Sequence, residues 1–173
     1  MIIDIELSKK SVFNAQKRLK RLKAIYPLIR KEFIKRSLAY IKEVARQNIV
    51  QFIAETNSSW YESTGTLERS WISYVDEIEG VLENICEYAA WYEYGTGIVG
   101  ASMSHPNASE RGYQYDTNNH GTQGWVYTYE GQKHWTSGMK AHPYLHNADM
   151  TYITTKKYKE IFREVVKEAE KGL

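Results

Sequence analysis

The chain has 173 residues, 42% hydrophobic and 25% charged, enough apolar material for one buried core and too much for a disordered chain. A single cysteine, Cys86, excludes an internal disulfide or a multi-thiolate metal site and fits a reducing compartment. No apolar run approaches the roughly 20 residues of a membrane span, and the start lacks the pattern of a signal peptide, so a cytosolic product with no membrane partner is expected.

The net charge of +2 conceals a segregation: residues 9–46 hold 13 Lys or Arg against 2 Glu, and residues 47–155 hold 4 basic against 13 acidic side chains. Polarity of this kind steers association with nucleic acid or with a neighbouring subunit.

Ile3, Ile5 and Leu7 alternate with Asp4 and Glu6, the period of a half-buried edge strand. From Ser8, a suitable N-cap, Val12, Ala15, Leu19 and Leu22 recur at helical spacing, with Lys17, Arg18, Lys20, Arg21 and Lys23 between them. Pro27 should end this helix and open a second, because its missing N–H is harmless at the first helical position. The second helix carries Ile34, Leu38, Ile41, Ala45 and Phe52 on one stripe and ends near Thr56, where turn formers cluster. Arg30, Lys31, Lys35 and Arg36 extend the basic face. Such a face can bind phosphates, although a solvated helix surface is the ordinary reading. Its aromatic residues lie near the apolar stripes rather than between the cations, which argues against base stacking.

Residues 70–75 and 81–86 read as strands paired around 77–80. Tyr88 to Tyr94 suits a short helix stopped by Gly95. Residues 98–124 are polar and aperiodic, the pattern of a long loop ordered by a partner. Trp125–Tyr129 and Lys133–Thr136 form a second hairpin around Glu130-Gly131. From Pro143 to residue 171 the chain is helical, with Tyr158, Ile161, Phe162, Val165, Val166 and Ala169 on one face. The expected class is α+β: one domain in which long N-terminal helices and a C-terminal helix pack on a small antiparallel sheet, with a long polar loop.

Three patterns invite chemistry. Gly95, Gly97 and Gly100 spell the dinucleotide fingerprint, but no convincing helix follows and the chain does not alternate strand and helix as a parallel sheet requires. His142 and His146 stand at helical spacing, yet His105, His120 and His134 supply no recognisable metal spacing. Cys86, among Val, Leu and Ile, reads as a small buried hydrophobe. No catalytic residue, cofactor or metal is therefore assigned.

Three ordered segments resemble a known family. Thr64-Gly65-Thr66-Leu67-Glu68-Arg69-Ser70, then Asn84 through Tyr88-Ala89-Ala90-Trp91-Tyr92-Glu93-Tyr94-Gly95-Thr96-Gly97, then Gly138-Met139-Lys140-Ala141-His142-Pro143-Tyr144-Leu145-His146-Asn147-Ala148 resemble the head-tail joining or tail-completion proteins of long-tailed bacteriophages. Ala141-His142 stands where that family has Arg before the proline, and the 98–124 loop is longer and more polar than its pattern. The resemblance covers roughly residues 30–173. It implies an α+β virion protein without cofactor or catalysis, made in the host bacterial cytoplasm. Its subunits form a ring, commonly of six, between the head connector or adaptor proteins and the tail tube or tail terminator, with DNA only as cargo through the lumen. A tail terminator is the neighbouring alternative, and a DNA-binding accessory protein using the basic helices is a further one. Subunit contacts are expected around Glu93, Tyr94, Gly95, Thr96 and Gly97. They extend to His105, Tyr113, Tyr115 and His120 in the loop, and to Trp125, His142, Pro143 and Tyr144 after it. Opposed charge is expected to assist closure of the ring head to tail.

Overall fold

The structure is a computed structural model that describes residues 9–56, 64–115 and 124–171. The strand expected at 1–7, the cap at Ser8, the turn at 57–59 and His120 lie outside them.

The backbone of the fold is one helix, α1, Lys9–Thr56. Pro27 was expected to divide it, yet it sits inside a continuous helix. Proline there removes one hydrogen bond and crowds the preceding turn. Tertiary packing offsets that cost: Ile29, two residues on, is buried against Ile161 and Val165, with Ile25 and Phe33 on either side. Phe33 meets Phe162 edge to face at 5.6 Å.

A short turn of helix, α2 (Thr66–Arg69), leads into the antiparallel hairpin β1 (Trp71–Val75) and β2 (Gly80–Asn84). The Asp76 carboxylate closes its turn by accepting the Ile78 and Glu79 amides at 2.6 and 2.7 Å. Those two donors hold Asp76 below the ordinary carboxylate range. Gly80 lets the hairpin touch α1, since a Cβ there would run into the Ile34 and Leu38 side chains. Helix α3 (Ala89–Tyr94) ends at Gly95, whose φ of 83° is left-handed.

The expected 98–124 loop is in part ordered by the chain itself. Helix α4 (Gly97–Ser102) runs through the glycine-rich stretch, contrary to the expectation that none follows, and turns occupy 106–112. The second hairpin, β3 (Trp125–Tyr129) and β4 (Gln132–Thr136), turns at Glu130-Gly131 with both φ values positive, the geometry that matches strand twist. The two hairpins are separate two-stranded sheets. A two-residue strand, β5 (Gly138–Met139), bridges to Thr96 and Gly97.

The C-terminal region is two helices, α5 (Tyr144–Thr154) and α6 (Lys157–Lys171), divided where Lys156 adopts a left-handed φ of 58°. Both pack along α1, so the α+β class holds. One core joins Ala45 and Ile49 of α1 to Leu67, Trp71, Ala89, Tyr144 and Ala148. A second joins α1 to α6. Between them Tyr152 donates to the buried Ser37 hydroxyl at 2.7 Å.

Candidate functional site

The three resembling segments, distant in sequence, share one core, and the second and third meet at Glu93. From the first, Leu67 enters the core, and its carbonyl accepts the Asn84 side chain at 2.7 Å. From the second, Glu93 is 8% exposed and reaches the N-terminus of α5. Its carboxylate accepts the Leu145 amide at 2.9 Å on Oε2 and the His146 amide at 2.9 Å on Oε1. These are two of the four amides that a helix start leaves without an intrahelical partner, and the positive end of the helix dipole favours an acid beside them. Pro143 at the N-cap brings no side-chain acceptor. The cap therefore comes from 50 residues earlier.

His105, buried, adds a third contact, its Nε2 lying 3.2 Å from Glu93 Oε1. Its Nδ1 accepts the Asn107 amide at 2.9 Å, which assigns the proton of the neutral ring to Nε2, donated to Glu93. Burial lowers the His105 pKa, in keeping with a neutral imidazole, with His146 and Arg111 acting in the same direction. Burial raises the Glu93 pKa, while the α5 amides oppose it.

Around this node the aromatic residues stack. Tyr94 lies 4.6 Å from Tyr113 and 4.5 Å from His105. Tyr113 donates to the Gly95 carbonyl at 2.9 Å, and Tyr115 meets Tyr113 edge to face. Thr96 pairs with Met139, whose amide donates to Thr96 Oγ1 at 3.1 Å. The glycines are positions of contact. A Cβ on Gly95 would lie 2.7 Å from Ala141 N, one on Gly97 would lie 2.7 Å from the half-buried Trp125 ring, and one on Gly138 would collide with the Thr96 carbonyl. In α4, the Gly97 amide is taken by the Tyr115 carbonyl and the Val99 amide by the Ser137 carbonyl. No first-turn donor set is left open in the way pyrophosphate binding requires.

His142 precedes α5, its amide bound to the Tyr92 carbonyl at 2.8 Å and its ring beside Phe52 and Tyr92. Burial pushes its pKa down to about 4. Tyr144 is buried, edge to face with Trp71, and burial raises its pKa. A cleft of about 200 Å³ lies along Asn48, Phe52, Tyr92 and His142. Among the described residues no group of three His, Cys, Asp or Glu is placed to hold a metal, and no helix is long and apolar enough to cross a membrane. Cys86 is buried in the first core, just past β2.

The basic face divides in two. Lys17, Arg18, Lys20, Arg21 and Lys23 are exposed on the first turns of α1, where residues 11–21 are all exposed. Of these five, only Arg18 has an ion-pair partner among the described residues, Glu170 at 2.7 Å. Further along, Arg30 lies over the Tyr26 ring, Lys31 and Lys35 face solvent, and Arg36 bridges Glu32 and Glu168 at 2.8 and 2.6 Å.

Sequence reasoning did not anticipate the outward face of the first hairpin. Ile72, Tyr74 and Val81 are 49%, 64% and 49% exposed, and Ile78 at the turn is 72% exposed. The signal was present in β1, which carries large apolar or aromatic residues at Trp71, Ile72, Tyr74 and Val75 and so on both faces. Comparison with protein-family models, curated proteins and solved structures gives no match.

Proposed function

We propose that this chain is a structural subunit of the neck of a long-tailed bacteriophage. It forms a ring that joins the head connector to the tail or completes the top of the tail, and it carries out no catalysis. The observation that supports this reading is that the three resembling segments share one core, through Leu67, Ala89, Tyr144 and Ala148, with Glu93 of the second capping the helix of the third. Glu93 and His105 bind backbone amides and one another there, a building role rather than a reactive one. Exposed apolar residues on both hairpins, including Ile72, Tyr74, Val126 and Trp135, are what a subunit offers to neighbours in an assembly. On this reading the host cytoplasm makes the protein, the virion holds it, and DNA passes it only as cargo. The tail terminator is the adjacent alternative and differs in the layer occupied.

The test is cryo-electron microscopy of phage particles containing the chain, together with the sedimentation mass of the purified protein. A ring of density at the head-tail junction that fits this fold is the expected result. Absence of the chain from assembled particles, or turnover of a substrate by the purified protein, removes the proposal.

A further inference from the structure

We propose that the exposed head of α1 in one copy docks across the outward face of the β1–β2 hairpin in the next copy. This rests on the ring reading above and adds which two surfaces meet. The head carries five cations between Lys17 and Lys23 with no acid among them, and Val12, Leu19 and Tyr26, seven residues apart, lie exposed along it. Residues seven apart fall on nearly the same side of a helix, so the head is a basic rod with an uncovered apolar stripe.

The hairpin is its complement. Asp76, Glu77, Glu79 and Glu83 lie in it, and no Lys or Arg occurs between Arg69 and Arg111. Ile72 and Tyr74 point away from α1, with Tyr74 opposite Val81 and Ile72 opposite Glu83 in the register. Apolar stripe and apolar face match, and so do the opposite charges around them.

Within one subunit the hairpin sits away from the centre of the head. The hairpin rests on the middle of α1, where Gly80 meets Ile34 and Leu38, and Asp76 feels Arg30 and Lys31. At about 1.5 Å of rise per residue, Lys20 is roughly 16 Å along the axis from Lys31. That is about two screening lengths at physiological salt. Different patches on two copies make a heterologous contact, which closes into a ring when its rotation divides a full turn.

The test uses an equal mixture of unlabelled and 15N-labelled full chain, coupled with carbodiimide and read by mass spectrometry. Mixed-isotope links from Lys17, Lys20 or Lys23 to Glu77, Glu79 or Glu83 are expected. Because these substitutions remove the groups that carbodiimide joins, the reversed variants are read by sedimentation: K17E/K20E/R21E and E77K/E79K/E83K should each weaken self-association by about tenfold or more, and mixing the two variants should restore it. All six positions are exposed, so each variant should keep the wild-type circular dichroism and unfolding midpoint. Inter-chain links elsewhere, with both reversed variants assembling like wild type, overturn this docking and leave the ring reading standing. Heads that pair with one another despite the hairpin reversal, or head lysines shielded by duplex DNA instead of a second copy, overturn it as well. A complete lack of inter-chain links overturns both readings.

Discussion

The Glu93 junction and the head of α1 use polar chemistry in opposite ways. At the junction every contact is turned inward: a buried carboxylate holds two helix amides and a neutral imidazole, and glycines let backbones touch. On the head the cations face water, and among the described residues one surface pair, Arg18 with Glu170, ties that end to the rest of the chain. The junction holds the fold together, and the head leaves its cations to solvent. A buried charge without its partners costs several kcal/mol, whereas exposed pairs contribute little, so the two regions should respond to substitution very differently.

The sharpest way to break that comparison is Glu93→Ala. It leaves the Leu145 and His146 amides and the His105 ring without their acceptor, and should cost about 3–5 kcal/mol in urea unfolding. A loss below about 1 kcal/mol would show that water serves as well as the carboxylate. Gly138→Ala comes next. The glycine holds φ at 101° with the Thr96 carbonyl where a Cβ would go, so about 2–3 kcal/mol should be lost, measured in the same way.

The smallest effect concerns acid. Burial keeps His142 neutral down to about 4 in the folded chain, while an unfolded histidine takes its proton near 6.5. As pH falls, the unfolded state therefore binds the proton first. The contribution of His142 to stability is complete above about 6.5 and drains as pH drops towards its folded value. His105 acts in the same sense. Glu93, with its raised pKa, acts in the opposite sense but only in the carboxyl range, so the slope is best read between about pH 6.5 and 5.5. His142→Phe, which keeps a ring beside Phe52, should flatten part of that slope in chemical unfolding series at several pH values. An unchanged slope would place His142 in water.

Much of the fold was legible because it rests on local periodicity. Both hairpins, the helix stopped by Gly95 and the apolar face of α6 follow from strand alternation, turn chemistry and helical spacing. Pro27 misled because local rules price a proline without the packing of Ile25, Ile29 and Phe33 on α6. The break at Lys156 left no mark, since no glycine announces it. The role of Glu93 was also hidden. It was legible as part of a motif, but the amides it holds belong to a helix that begins 51 residues later, at Tyr144, and spacing along a chain says nothing of who caps whom.

By itself the sequence determined the α+β class, most elements and the segregation of charge, because those depend on residue type and near neighbours. Only tertiary structure decided that Glu93 of one segment caps the helix of another, and that Leu67 of a third packs into the core they share. It also decided that one part of the basic helix is bound into the fold while the other stands free of its core. Long-range packing selects which surfaces vanish from water, and that choice depends on where distant side chains arrive.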